Sequence, residues 1–187
     1  MNIFKTETEY AINNIKYDSY RRRIEEYENE FRNLSDSLNE VKIEELEKRG
    51  YILITIDDID MLVPEDISFQ EMHTSLQQMP RPHNRKYEFA LYYFVDEDDI
   101  SIIKNSDNYK NVIYERESLL NDILNVYKEF WENEVSKESN NIEESIVYFL
   151  AGIDRNISAD KISKATGIDK EKCTGYSFND EGYVFKR

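Results

Sequence analysis

Two groups of carboxylates have the residue types and spacing to do chemistry, and each follows an apolar run of strand length. The run 51–56 is followed by Asp57, Asp58 and Asp60, and the run 87–95 by Asp96, Glu97, Asp98 and Asp99. Carboxylates at the ends of adjacent parallel strands can hold Mg²⁺ for phosphodiester chemistry. In that arrangement Asp58 and Asp98 approach each other, and the chain is a Mg²⁺-dependent phosphodiesterase or nuclease. No lysine, histidine or glycine-rich phosphate loop stands at a recognisable spacing from them, so solvated strand ends are the favoured interpretation.

The other nucleophiles and metal ligands stand apart from one another. His73 and His83 are the only histidines and Cys173 is the only cysteine, whereas a zinc site needs further ligands at a suitable spacing. The pattern G-x-S-x-G, which positions the serine of many hydrolases, is absent. We therefore expect a protein without enzymatic activity, cofactor or metal, with Cys173 packed as a small side chain on a short helix.

Composition restricts the class of protein and the kind of partner. The 187 residues include 39 Asp and Glu against 24 Lys and Arg, for a net charge of −15, and 13% are aromatic. So many aromatic residues exclude a disordered acidic chain, and the acidic balance excludes simple coating of nucleic acid. No apolar run reaches the roughly 18 residues that span a bilayer. We expect a soluble, cytoplasmic protein with no membrane partner.

The elements that must position these residues begin with a long helix. Apolar residues recur in alternating steps of three and four at Tyr17, Tyr20, Ile24, Tyr27, Phe31, Leu34, Leu38 and Val41. This heptad seam predicts a helix over about residues 6–48, ending before Gly50. Either the seam 17–41 forms a homodimeric coiled coil, or a second helix at about 115–135 covers it as an intramolecular hairpin. The wide apolar stripe of the second helix also needs cover, which slightly favours the hairpin.

A small sheet is expected between these helices. The runs 51–56 and 87–95 are apolar throughout, which is typical of central strands buried on both faces. Residues 100–103 and 112–114 are predicted to pair as a further hairpin. Ser68 and Glu71 form a capping box that opens a short helix ended by Pro80.

The C-terminal segment, residues 142–187, has the most specific pattern of the chain. A helix from Ile142 is followed by a helix capped by Ser158, a turn at Gly167, a short helix from Asp169 to Lys172, and a β-hairpin from 176–178 and 183–185. The stretch 157–168 resembles the helix-turn-helix core of the winged helix-turn-helix superfamily. The matching positions are Ala159, Ile162, Ala165, Gly167 and Ile168. The resemblance extends over about 46 of the 187 residues.

The resemblance implies a DNA-reading third helix and a wing that touches phosphate. On this chain the implied contacts are Lys170, Lys172, Thr174, Lys186 and Arg187. The sequence departs from the family pattern because the third helix is short, carries acidic residues beside its lysines, and lacks Arg and Asn. A winged helix used for protein contacts or for packing is therefore the alternative.

The fold class expected from these patterns is α+β. Long helices pack on a small β-sheet in an acidic body, residues 1–135, and a linker, residues 136–141, leads to a small C-terminal winged-helix-like module, residues 142–187. The module carries eight acidic and seven basic residues, so nearly all of the negative charge belongs to the remaining 141 residues.

This charge distribution leads to the functional hypothesis. We expect a non-enzymatic protein whose carboxylates imitate a phosphate backbone and bind, and inhibit or regulate, a basic nucleic-acid-binding protein. Small acidic inhibitors that phages and mobile elements carry against host nucleases, restriction or CRISPR effectors have this composition. The predicted partner-binding residues are Glu25, Glu26, Glu28, Glu30, Asp96, Glu97, Asp98 and Asp99. A dimeric winged-helix transcriptional regulator is the alternative, and the Mg²⁺-dependent enzyme comes third.

Overall fold

The protein is mostly helical and contains small antiparallel sheets, which agrees with the α+β class at this coarse level. The computed structural model describes residues 15, 17–78, 91–154, 157–178 and 184–186. Its elements are α1 Asp18–Lys48, β1 Tyr51–Ile56, β2 Ile59–Pro64, α2 Phe69–Gln78, α3 Glu97–Lys104, α4 Asp107–Phe130, a π-helical turn Trp131–Val135, α5 Ile142–Gly152, α6 Ala159–Thr166, α7 Lys170–Cys173, β3 Tyr176–Phe178 and β4 Val184–Lys186. No helix in these ranges is long and apolar enough to cross a membrane.

Internal contacts divide the chain into two compact units. The first unit joins the residues up to Arg32 to those from Arg116 onward, and the second comprises Asn33–Glu115. Residues 136–141, the predicted linker, are turn and coil between the π-helical turn and α5. That these residues separate two domains stays a prediction.

The first unit has a core rich in aromatic residues, built from α1, α4, α5 and α6. Tyr17 and Ile24, two members of the heptad seam, are buried in one hydrophobic cluster with Tyr127 and Phe130 of α4. The ring of Tyr17 meets that of Phe130 edge-to-face at 4.8 Å, an arrangement that aromatic quadrupoles favour. In this unit the seam is therefore covered intramolecularly, as the hairpin interpretation predicts. The homodimer stays a prediction.

The C-terminal helices have the predicted local signals and share this core. The Ser158 hydroxyl caps α6 by accepting from the Lys161 amide at 3.3 Å, and Gly167 ends the helix with φ of 73°. Glycine suits that left-handed position because an L side chain would be strained there. Ile162 of α6 lies in the same cluster as Ile24 and Phe130, so the C-terminal segment is packed against α1 and α4.

The second unit contains a β-hairpin where a central strand was predicted. Strand β1 pairs antiparallel with β2 in a two-stranded sheet, from Tyr51 opposite Pro64 to Ile56 opposite Ile59. The prediction that β1 is buried on both faces is wrong, because Ile52 and Leu53 are 43% and 42% exposed. Asp57 and Asp58 form the two-residue turn with φ of 51° and 62°, a positive-φ connection that acidic and amide side chains tolerate better than most.

Three other predicted strands are also wrong where the structure describes them. Leu91 is helical and residues 92–95 form a turn and bend before α3, while 87–90 lie outside the described residues. The runs 100–103 and 112–114 belong to α3 and α4 instead of pairing as strands. Asp96 caps α3 by accepting from the Asp98 amide at 2.9 Å, which starts a helix where the apolar run alone was ambiguous.

Core packing completes the second unit. Ile103 of α3 joins Leu46, Tyr51, Leu62 and Val95 in a second hydrophobic cluster. This burial stabilises α3 as a helix, because the three-residue spacing places both Ile100 and Ile103 against the cluster while Ile102 stays 53% exposed.

Gly152 allows a close approach of α5 to two aromatic rings in the first unit. A Cβ atom at this position would overlap Cζ of Phe130 and lie 2.7 Å from Cδ2 of Tyr17. We expect Gly152→Ala to lower the free energy of unfolding by about 1–3 kcal/mol, the usual cost of overpacking a dense core. Urea denaturation followed by far-UV circular dichroism measures this.

The control for Gly152→Ala is the same substitution in a Phe130→Leu background, which lacks the overlapping ring atoms. The substitution should cost less there than in the wild-type protein, because the two changes are coupled through one contact. An equal cost in both backgrounds would show that steric overlap with Phe130 is not the cause.

Candidate interaction surfaces

The predicted partner-binding residues of α1 divide into exposed and structural carboxylates. Glu25, Glu26 and Glu30 are exposed and have no ion pair among the described residues. Glu28 is half-buried, and its carboxylate accepts from the Lys161 ammonium at 2.9 Å. That ammonium also lies 5.5 Å from the centre of the Tyr127 ring, a cation–π distance. Glu28 therefore joins α6 to α1 through an ion pair.

The Tyr127 hydroxyl is a buried polar group with an acceptor of its own. The Tyr127 ring is fully buried, and burial, followed by the charge of Asp154, raises the pKa of its hydroxyl far above the ordinary value. The hydroxyl stays protonated and donates to Asp154 at 3.4 Å. A neutral donor inside the core satisfies the rule that buried polar groups are hydrogen-bonded.

The second predicted group, residues 96–99, also divides into structural and exposed carboxylates. Asp96 caps α3, and Asp99 accepts from the Tyr51 hydroxyl at 2.9 Å and from Arg49 Nε at 2.7 Å. The Tyr51 hydroxyl, followed by the Arg49 guanidinium, holds the pKa of Asp99 below its usual range. Glu97 and Asp98 are exposed. The α1 group belongs to the first unit and this group to the second.

The Mg²⁺ arrangement is not supported by the geometry. The strand that should have placed Asp98 beside Asp58 is replaced by the turn before α3, and Asp58 lies in the β1–β2 turn. Asp60 accepts from the Thr55 hydroxyl at 2.6 Å across the hairpin. Within the described ranges, no group of three or more His, Cys, Asp or Glu residues is placed to hold a metal ion.

The predicted DNA contacts of the C-terminal segment are largely engaged with the protein itself. Lys170 bonds Asp160 at 3.3 Å and Lys186 bonds Glu143 at 3.1 Å. The Thr174 hydroxyl donates to the Glu171 carbonyl at 2.9 Å, whereas Lys172 is exposed. Arg187 lies outside the described residues.

A surface groove of about 560 Å³ runs between α5, α7 and β4. Its lining includes two lysines, Lys172 and Lys186, and two glutamates, Glu143 and Glu171. Hydrogen bonds from Lys170 and Lys164 hold the pKa of Asp160 on α6 below its usual range, so this carboxylate stays charged beside them. Asp160 is therefore an acceptor shared by two lysines.

Sequence reasoning did not propose the segment 51–78, which contains the β1–β2 hairpin and α2, as an interaction surface. It carries six acidic residues and no lysine or arginine, namely Asp57, Asp58, Asp60, Glu65, Asp66 and Glu71. All six are exposed. The absence of basic residues over such a length was a signal available from the sequence alone.

Comparisons with protein-family models, with curated proteins and with solved structures give no match to this chain. Its own side chains are therefore the only basis for a functional proposal.

Asp99 should behave as a structural carboxylate with a pH signature. Because its pKa is lowered in the folded state, its stabilisation is present above the ordinary value of 3.8 and is lost as the pH falls through the lowered pKa. We expect Asp99→Asn to lower the melting temperature at pH 7, with the difference from wild type shrinking towards pH 2. Thermal unfolding at a series of pH values measures this.

Asp98→Asn is the matched control for Asp99→Asn. Asp98 is exposed and its side chain makes no hydrogen bond or ion pair with the described residues, so its melting temperature should follow wild type at every pH. If Asp99→Asn lowers the melting temperature by the same amount at every pH, altered packing and not the lost charge is the cause.

Proposed function

We propose that this chain is a non-enzymatic acidic interaction protein that binds, and inhibits or regulates, a basic nucleic-acid-binding protein in the cytoplasm. The observation that carries the proposal is a surface imbalance. Nine of the described Lys and Arg side chains pair with the chain's own carboxylates, while Glu25, Glu26, Glu30, Glu97 and Asp98 remain exposed without an ion pair among the described residues. A partner with Lys and Arg side chains would supply the missing counter-charges.

The pairing of the cations can be followed along the first unit. Arg23 bonds Glu129 at 3.0 Å, Lys161 bonds Glu28 at 2.9 Å, and Lys164 bonds Asp160 at 3.3 Å. In the second unit the imbalance is larger, with 18 acidic against 8 basic residues.

An uncompensated acidic surface has a defined physical effect on binding. It raises the association rate with a basic partner and weakens the complex as salt screens the charges, over a Debye length of about 8 Å at physiological ionic strength. Carboxylates at successive helical turns also offer a partner a series of anions such as it meets along a nucleic-acid backbone. In this proposal the chain belongs with the acidic inhibitors that phages and mobile elements carry against nucleases, restriction enzymes or CRISPR effectors.

The direct test is capture of the partner from a nuclease-treated bacterial lysate on tagged protein, with elution by a salt gradient. We expect a basic nucleic-acid-binding protein that survives nuclease treatment and elutes as salt rises. The triple variant Glu25→Lys, Glu26→Lys and Glu30→Lys should elute it at lower salt, because charge reversal replaces attraction by repulsion. Glu28 is left unchanged since it pairs with Lys161.

A matched control carries the same change in net charge elsewhere on the first unit: Glu117→Lys, Asp122→Lys and Glu171→Lys, at positions with no ion pair among the described residues. It should retain the partner nearly as well as wild type. Identical elution of both triple variants would assign binding to net charge and reject the α1 face. Recovery of nucleic acid alone, lost on nuclease treatment, would contradict the whole proposal.

A dimeric winged-helix DNA-binding regulator is the second candidate. The observation that favours it is the order of elements, in which α5, α6, the Gly167 turn, α7 and the antiparallel strands β3 and β4 follow one another as in that superfamily. In this proposal Lys170 and Lys172 face DNA, and Lys186 lies near phosphate.

The regulator proposal predicts sequence-selective binding of duplex DNA that Lys172→Glu abolishes, because Lys172 is the lysine of α7 that has no ion pair among the described residues. Electrophoretic mobility shift against a pool of random duplexes, at stated salt, measures this. The control is Lys128→Glu, which makes the same change in charge at an exposed position of α4. A monomer by light scattering together with no selected sequence would exclude this candidate.

A further inference from the structure

Helix α2 is amphipathic, and the described residues cover its apolar face only in part. Phe69, Met72 and Leu76 are spaced three and four residues apart and so lie on one face. Phe69 is 76% exposed, Met72 and Leu76 are partly buried, and no residue of α2 is fully buried. Neither hydrophobic cluster of the described residues contains a residue of this helix. Burial of the apolar stripe, which usually stabilises a surface helix, is therefore incomplete, and the uncovered side chain is Phe69.

Local chemistry nevertheless fixes where α2 begins. The Ser68 amide donates to Glu71 Oε2 at 3.1 Å, and the Glu71 amide donates to Ser68 Oγ at 3.2 Å, which makes the predicted capping box. The hydrogen bonds from Ser68 also hold the pKa of Glu71 below its usual range. A ten-residue helix is marginal in water without tertiary contacts. The cap presents α2 ready for a partner that supplies them.

The charges beside α2 determine which partner fits. The segment 51–78 contains no lysine or arginine, and all of its six carboxylates are exposed. Two of them, Glu65 and Asp66, come directly before the helix. A second copy of the chain would bring the same carboxylates to the contact and be repelled. A basic surface would be attracted to the carboxylates and could cover the apolar face.

We infer that the apolar face of α2 docks into an apolar groove of the basic partner, with Phe69 as the anchor and the carboxylates of segment 51–78 meeting lysines and arginines at the rim of that groove. The inference rests on the proposed function and specifies how its partner is recognised. Docking of a helix in a groove by residues spaced three and four apart is a common recognition mode, and aromatic anchors carry much of the affinity at such contacts.

The test uses the full-length protein and two fluorescent peptide probes, measured by anisotropy at several salt concentrations. One probe is a helical amphipathic peptide of leucine and lysine, and the other is an oligolysine with the same number of lysines. We expect wild type to bind the leucine–lysine peptide about tenfold or more tightly than oligolysine, as burial of one aromatic side chain allows. Phe69→Ser should remove that preference and leave the affinity for oligolysine unchanged.

Tyr114→Ser is the matched control, because Tyr114 is an equally exposed aromatic residue of the second unit at 74%. It should retain the preference for the leucine–lysine peptide. If wild type binds both probes equally, or if Phe69→Ser keeps the preference, the inference is overturned while the proposed function stands. If neither probe binds at low salt, the acidic surface attracts no cation and the proposed function fails as well.

Two further outcomes would assign the apolar face to a different occupant. Thermal unfolding of Phe69→Ser should match wild type, and a fall of about 4 °C or more would show that the chain itself covers Phe69. Light scattering should give a monomer at all concentrations. Self-association that Phe69→Ser abolishes would identify a second copy as the occupant and overturn the inference.

Discussion

Close packing around Phe130 is the constraint on which the first unit depends. Its ring is fully buried and meets Tyr17 and Tyr20 of the α1 region and Phe149 of α5. The absence of a side chain at Gly152 makes room for that ring. Aromatic side chains on α1 thus fill a space that leucines would fill in a regular coiled coil. Because the seam is covered in this way, the opposite face of α1 is left to solvent, and that face carries Glu25, Glu26 and Glu30.

The ion pairs follow from the same packing and determine which carboxylates remain available. Arg23 reaches Glu129 of α4, and Lys161 reaches Glu28 of α1, so the cations lie along the seams between helices. Partly exposed pairs of this kind contribute only about 0–1 kcal/mol each to stability. Their larger consequence is for the surface, since they leave a chain of net charge −15 with its remaining carboxylates facing solvent.

Sequence patterns predicted the structure well where the signal was local. The heptad spacing along α1, the capping box at Ser68, the cap at Ser158 and the turn at Gly167 each depend on residues within a few positions of one another. Patterns failed where a distant partner decides. Residues 100–103 are rich in β-branched side chains and were predicted as a strand, but Ile103 packs as part of a helix against Leu46 and Tyr51. Likewise the sequence does not reveal that Glu28 pairs with Lys161. Nor does it reveal that Asp99 accepts from Arg49 and Tyr51.

The weakness of the DNA-binding candidate lies less in the ion pairs of α7 than in the absence of arginine and asparagine from that helix. The bond of Lys170 to Asp160 is exposed, and a phosphate could displace it at a cost of about 1 kcal/mol or less. Specific reading of bases needs donors that span two acceptors, which arginine and asparagine provide and a lysine–threonine pair provides poorly. With four residues, α7 also offers a single turn to the major groove. The acidic surfaces have no such deficiency, because a basic partner requires only accessible carboxylates and an apolar contact, and the described residues supply both.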